Sequence, residues 1–195
     1  MKLHFDPTAH RYMLNGEQLP SVTQVLKHAG LVSYAQIPQD VLAKASHRGK
    51  WVHAKCQAID EGLPLEGMPP EYQPWVDAYL RFKRETGFIL ELNEHRAWHK
   101  KDLYAGTMDR TGILPLLGQH RWLLDFKTGI YLDGHRYQLA AYAALLREPR
   151  LYKRAILQLC GDGTYKLHPH PKGDFDRDFG VFRQALHEMR KDVAA

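Results

Sequence analysis

Asp109, Asp125 and Lys127 are the residues whose types and spacing can do chemistry. They stand in Gly106-Thr107-Met108-Asp109 and, after a gap, in Leu123-Leu124-Asp125-Phe126-Lys127, with the two acids at the expected ends of two strands. Side chains alternate along a strand, so Asp125 and Lys127 point to one face. Two carboxylates at about 4 Å repel by about 4 kcal/mol at an effective dielectric of about 20. A hard divalent cation offsets that repulsion and activates a bound water. The alternative is two acids in separate surface salt bridges. The apolar run Trp122-Leu123-Leu124 speaks against it, because Asp125 extends a buried strand and an unpaired buried aspartate is costly. A lone lysine is normally a solvated side chain. Two positions after a metal ligand, Lys127 can orient or deprotonate the water, or neutralise charge developing on a phosphate.

Other residues fit around this pair. His53, in Arg48-Gly49-Lys50-Trp51-Val52-His53, adjoins the apolar stripe of a helix and can be a ligand or simply a packed or surface histidine, one of 12 in the chain. Gly49, one turn earlier, costs helix stability and leaves room for a backbone or a ligand. Gln138 and Tyr142 are four residues apart and share a helical face. Gln138 can hydrogen-bond a base or phosphate, and Tyr142 can stack, donate a hydrogen bond, or cap a helix–sheet core. Gly106 allows close backbone approach or a turn.

The elements that must position these residues follow from punctuation and periodicity. Leu3 to Phe5 and Arg11 to Leu14 read as two strands around an Asp6-Pro7 turn, and Asn15-Gly16 is a turn signal. Ser21 or Thr23 caps a helix through Val22, Val25, Leu26 and Ala29 that Gly30 ends. A long helix runs from near Pro38 to Glu61, with Val41, Ala45, Val52, Cys56 and Ile59 as its stripe and Gly62 as its stop. A further helix covers Glu71 to Thr86, with Trp75, Tyr79 and Phe82 inward and Gly87 closing it. Strands are expected over Phe88–Trp98, Leu103–Ile113 and Arg121–Lys127, the last two as a hairpin about Leu116-Leu117-Gly118-Gln119. An alanine-rich helix spans His135 to Leu146, and a hairpin of Arg154–Leu159 and Tyr165–His168 turns at Gly161-Asp162-Gly163. An amphipathic helix closes the chain from Asp174 to Asp192. The order predicts an α+β, three-layer domain with a mixed sheet flanked by helices. Residues 1–195 are expected to be one domain, with an N-terminal hairpin and helix over 1–30 packed on it.

Composition sets the limits. The chain is 44% hydrophobic and 25% charged, that of an ordinary globular protein, and its net charge of +5 fits an anionic partner such as nucleic acid. No apolar stretch approaches the ~20 residues of a membrane span, and Met1-Lys2-Leu3-His4-Phe5-Asp6-Pro7 lacks the apolar core of a secretory signal, so a cytoplasmic location is expected. Cys56 and Cys160 read as two thiols in a reducing compartment; they cannot supply a four-cysteine zinc or iron–sulfur site.

Taken in order, Arg48-Gly49 with His53, Gly106 with Asp109, Asp125 with Lys127, and Gln138 with Tyr142 resemble the motif series of the RecB-like branch of the PD-(D/E)XK nuclease superfamily. The opening, Tyr12 to Gly16 and Pro20 to Leu26, looks like the start of phage and mitochondrial members of that branch. The resemblance implies a restriction-endonuclease-like core and a Mg²⁺- or Mn²⁺-dependent deoxyribonuclease using one or two ions, bacterial or phage-encoded. By it, His53, Asp109, Asp125 and the backbone carbonyl of Phe126 bind metal, and Lys127 is the catalytic lysine. Gln138 and Tyr142 complete the site, Glu94 looks like the extra acid that holds a second metal or a water, and Thr128 touches a phosphate. It also implies an exonuclease leaving a 5′-phosphate and a 3′-hydroxyl in recombination, repair or replication. DNA with a free end, single- or double-stranded, and a recombination or replication protein are the implied partners.

Arg48, Lys50, Lys100, Lys101, Arg110 and Arg136 are candidates for phosphate-backbone contacts, and Trp51 and Tyr131 for stacking on bases. The readings held against this one are a nuclease-fold binding or structural subunit without its own cleavage activity, a structure-specific endonuclease, and a metal-dependent hydrolase of a small molecule.

Overall fold

Asn15 and Gly16 both take left-handed backbone (φ 52° and 94°) and reverse the chain between β2 (Arg11–Leu14) and β3 (Glu17–Leu19). With β1 (Leu3–Asp6) these strands form a three-stranded antiparallel sheet, a correction to the two-stranded N-terminal hairpin expected over residues 1–30. The extra strand has three residues and opens on the polar pair Glu17-Gln18, too short for alternation to reveal it. In the computed structural model, which describes residues 2–194, this sheet leads directly into α1 (Val22–His28). Ser21 starts α1 with a reciprocal capping box: its Oγ accepts the Gln24 N–H at 3.2 Å, and Gln24 Oε1 accepts the Ser21 N–H at 2.9 Å.

Two helices follow, α2 (Gln39–Glu61) and α3 (Gln73–Thr86), each ended by a glycine with φ of 66°, Gly62 and Gly87. The main sheet comprises β4 (Ile89–Trp98), β5 (Ala105–Ile113), β6 (Arg121–Lys127), β7 (Lys153–Leu159) and β8 (Tyr165–His170). Helix α4 (His135–Ala143) joins β6 to β7, and α5 (Phe175–Ala194) closes the chain. Strand order is β4-β5-β6-β7-β8, and every neighbour is antiparallel except the β6–β7 pair. Parallel neighbours need a crossover, and α4 is that crossover. The expected mixed sheet between helices is therefore what forms.

The sheet divides two apolar cores. Leu123 and Ile156 pack toward α1, α4 and α5 with Val22, Leu139 and Phe182. Leu124, Phe126 and Leu157 pack toward α2 and α3 with Val52, Tyr79 and Phe82. Successive residues of β6 thus serve opposite layers, and Asp125 falls on the α4 side. A third apolar group, Tyr12, Leu14 and Leu19 with Ala105, seats the small sheet against β5. There the Ala105 N–H donates to the Pro20 carbonyl at 3.0 Å, and the Tyr12 hydroxyl meets Thr107 Oγ1 at 2.7 Å.

Only part of the expected α2 stripe is covered. Val52 and Cys56 are buried, but Val41 is 48% exposed and Ala45 half-buried. Periodicity marks a face without saying what covers it; the first three turns of α2 wall an open cleft instead.

Gly106 has a packing reason. A Cβ there would lie 2.7 Å from Tyr142 Cε1 and 3.2 Å from Val22 Cγ2, so the close approach at this glycine is made by the Tyr142 ring. Gly106→Ala is expected to cost about 1–3 kcal/mol of stability, read as a lower denaturation midpoint, and Tyr142→Leu in the same background should restore part of it. An unchanged midpoint in Gly106→Ala would show that the ring does not need the space.

Candidate metal centre

Asp125 and Lys127 are two apart on regular β6, and the alternation places both toward α4. Lys127 Nζ is ion-paired with Asp125 Oδ2. The other oxygen, Oδ1, accepts from Gln138 Nε2 at 3.1 Å, and Gln138 Nε2 also donates to the Tyr142 hydroxyl at 3.2 Å. The i,i+4 pair on α4 thus reaches the site through Asp125.

Asp109 lies in the middle of β5, a correction to its expected place at a strand end. What ends there is the pairing with β6, whose last pair is Arg110–Leu124. Met108 packs in the α4-side core while Arg110 lies over the Phe126 ring on the other side, so the alternation breaks across Asp109. In the opening between the strands Asp109 Oδ2 accepts the Phe126 N–H at 2.6 Å. On the other flank Glu94 and Asp109 drop out of the β4–β5 ladder between Asn93–Arg110 and His95–Met108. Glu94 has φ of 44°, the left-handed region that a side chain rarely adopts.

This break brings Glu94 and Asp109 to His53 on α2. His53 Nδ1 lies 3.7 Å from Asp109 Oδ2 and 3.9 Å from Glu94 Oε1. These separations are too long for hydrogen bonds. A cation bonded at about 2.0–2.2 Å sets its ligand atoms roughly 3 to 4 Å apart, so the spacing suits an ion. One donor atom from each of His53, Glu94 and Asp109 falls within 4.8 Å of the others. Two carboxylates and an imidazole fit Mg²⁺ or, better for the nitrogen, Mn²⁺.

Burial and neighbouring charge pull these groups in opposite directions. Burial, with Asp125 and Glu94 nearby, pushes Asp109 up to about 6 against the pull of His53 and Lys127. Burial would lower His53, but Asp109 and Glu94 outweigh it and raise the imidazole. Burial would likewise raise Glu94, yet His53 and Arg110 hold it below its ordinary value. Lys127 is raised, because Asp125 and Asp109 overcome its desolvation.

Arg110 does not face solvent. It is fully buried, a correction to its expected phosphate contact. Nε donates to Asp60 Oδ2 at 2.7 Å, and Nη1 donates to Glu94 Oε1 at 3.0 Å and to the Asp109 carbonyl at 2.6 Å. Asp60, near the end of α2, also receives Lys83 Nζ and the Tyr79 hydroxyl, each at 2.7 Å. The sequence reading missed Asp60. Its partners lie 19 to 50 residues away, so no local spacing signals it.

His53, Asp109, Asp125, Phe126, Lys127, Gln138 and Tyr142 line one cavity of about 610 Å³, together with Arg48 and Thr128. Arg48 Nη2 donates to the Thr128 carbonyl at 2.9 Å, and its guanidinium lies 4.6 Å from the Trp75 ring, so it ties α2 to the loop after β6. Lys50 is exposed, outside the cavity lining, as are Lys100 and Lys101 on the β4–β5 turn. Arg136 is held by Asp178 at 3.0 Å, with Asp133 and Asp174 at 3.6 and 3.7 Å. Trp51 donates to His47, and Tyr131 stacks on His168 at 4.5 Å. Among the described residues no helix is long and apolar enough to cross a membrane.

No family model matches the chain, and no curated protein matches it. Among solved structures it is similar to the crystal structure of an alkaline exonuclease (LHK-Exo) from Laribacter hongkongensis. The two are 14% identical with a TM-score of 0.42, over 90% of this chain and 93% of that one. So distant a likeness carries no argument about this chain, whose chemistry rests on its own residues.

Asp109 has an ordinary value of 3.8 and stands at about 6 in the folded protein. Its ionisation therefore destabilises the metal-free fold, fully above pH 6 and not at all below its ordinary value. Asp109→Asn, which keeps an acceptor for the Phe126 N–H, is expected to raise metal-free stability at pH 8 by roughly 1–3 kcal/mol. The gain should vanish as pH falls below 4, and Mn²⁺ should no longer raise the melting temperature. Chemical denaturation at both pH values measures it; a loss of stability at pH 8 would refute this charge balance.

Proposed function

We propose that this chain is a divalent-metal-dependent nuclease that hydrolyses phosphodiester bonds in DNA, acting from an end as an exonuclease. The observation that carries the reading is the convergence of His53, Glu94 and Asp109, of which His53 and Asp109 line an open cleft together with the Asp125–Lys127 ion pair. We read residues 1–195 as one unit of this kind, within the RecB-like branch that the motif order resembles.

His53, Glu94 and Asp109 would hold Mg²⁺ or Mn²⁺, with Asp125 and the Phe126 carbonyl as the further ligands that the resemblance implies. A bound ion supplies Lewis-acid polarisation of a phosphoryl oxygen and a water of lowered pKa. The protein's own part is positional. Gln138 fixes Asp125 through Oδ1, and Tyr142 fixes Gln138. The Phe126 N–H fixes Asp109. Lys127 presents an ammonium to the cleft, where it stabilises charge developing on phosphate oxygens or orients the attacking water. Arg48, Lys50 and Thr128 are the phosphate contacts that fit this reading. Arg136 joins them only by leaving Asp178.

The test is cleavage of end-labelled linear single-stranded and double-stranded DNA beside a closed circle, in Mn²⁺, Mg²⁺ or EDTA. Metal-dependent loss of the linear DNA with the circle spared is expected, as is its disappearance in Asp125→Ala. Cutting of the circle would make the protein an endonuclease, and salt-sensitive binding without cutting would make it a binding subunit. Lys127→Ala is expected to slow cleavage by about 10²–10⁴-fold while retaining the melting-temperature rise that Mn²⁺ causes. Loss of that rise would place Lys127 in metal binding.

A further inference from the structure

The cleft continues past Lys127. The cavity of about 610 Å³ that contains His53 and Asp109 adjoins a second of about 580 Å³ under residues 32–35. Tyr34, Leu42, Lys127 and Gln138 line both, so Lys127 stands at their junction. Each has the size of a small-ligand pocket, roughly 300–1,000 Å³, room for a nucleotide and far short of a duplex.

One side of the first cavity is apolar. Ile37, Val41, Leu42 and Ile130 line the first cavity, and Val41 and Ile130 are 48% and 51% exposed. A face that grips a duplex collects Lys and Arg against many phosphates. Here the Lys and Arg side chains lining the two cavities are Lys127, Arg48, which also donates to the Thr128 carbonyl, and Lys27. Apolar side chains beside a few cations suit bases that are out of a stack, around a phosphate.

Tyr34 stands between the two cavities, with its hydroxyl oxygen 3.2 Å from His135 Nε2. His135 is fully buried, and its Nδ1 accepts the Leu132 N–H at 3.2 Å. Burial, with Lys127 nearby, pushes His135 down to about 4, so the ring is neutral. A neutral imidazole that accepts at Nδ1 carries its proton on Nε2 and donates it to Tyr34. The Tyr34 hydroxyl proton is then left to donate to a ligand at the junction.

We propose that the double cavity takes one polynucleotide strand, a nucleotide on each side of a phosphate at the junction, and that Tyr34 is a specificity residue for that single strand. The proposal rests on the nuclease reading. His135 acts as a positioning residue through Tyr34.

Two readouts test it. Anisotropy of a labelled 12-nucleotide single strand and of a blunt 12-base-pair duplex, both in EDTA, measures binding, and gel assays in Mn²⁺ measure cutting. The single strand is expected to bind at least about tenfold tighter and to be cut faster. Tyr34→Ala should weaken single-strand binding by about 5- to 100-fold, the range of a lost stacking contact. Tyr34→Phe should keep most of the affinity and lower the turnover number. Ile130→Glu, on an exposed loop where folding is not at stake, should also weaken single-strand binding. Equal binding and cutting of the blunt duplex would overturn the strand preference and leave the nuclease reading intact. Unchanged affinity in Tyr34→Ala and Ile130→Glu would overturn the path. No cutting of any substrate would remove the nuclease reading, and the EDTA binding data would then decide the strand preference alone.

Discussion

A guanidinium without solvent exposure joins the two halves of the site. Arg110 leaves β5 and binds Asp60 on α2, Glu94 on β4 and the Asp109 carbonyl on its own strand. Burying such a charge is expensive unless it is saturated with partners, and removing one partner of a buried pair is worse. Asp60 and Glu94 supply the opposite charge, although Nη2 makes no hydrogen bond among the described residues; Asp60 is held in turn by Tyr79 and Lys83 on α3. Asp60 follows His53 by two helical turns on α2. The bond from Asp60 to Arg110 therefore ties the helix that carries His53 to the strand that carries Asp109.

Around this anchor the backbone departs from regularity where the carboxylates must converge. Left-handed backbone at a non-glycine residue costs of order 1–3 kcal/mol and persists only when its surroundings hold it. Glu94 has that backbone, and its carboxylate is held by Arg110. The β5–β6 ladder opens at Asp109, whose side chain replaces the missing strand contact by accepting the Phe126 N–H. Glu94, Asp109 and Asp125 face His53, Arg110 and Lys127 across a few ångströms. The signs balance, yet burial keeps Asp109 near 6. Three of these side chains, His53, Glu94 and Asp109, stand close enough to hold a cation between them.

The regular parts of this arrangement were legible in the sequence. Alternation along β6 placed Asp125 and Lys127 together, i,i+4 spacing placed Gln138 with Tyr142, Gly62 and Gly87 marked helix ends, and of the two cap candidates Ser21 and Thr23 it is Ser21 that caps α1. The irregular parts were not. No residue type announces that Glu94 will turn left-handed or that faces will swap across Asp109. Arg110 reads as a solvated cation because its partner Asp60 is 50 residues away. The start of α2 has a periodic face, yet Val41 on it is 48% exposed beside the cleft. Tyr34 and His135 gain meaning only through a contact spanning 101 residues.

The kink at Glu94 bears on more than a ligand. β4 is an outer strand of the five-stranded sheet. An outer strand offers unpaired backbone groups to any other chain with a free edge, and flat apolar edges invite intermolecular pairing. β4 is neither flat nor apolar: its register shifts between Leu90 and Leu92, its backbone turns left-handed at Glu94, and Glu91, His95 and Arg96 are exposed along it. The distortion that aims a carboxylate inward also makes this edge a poor template for aggregation, so selection for solubility and selection for the site act on the same few residues.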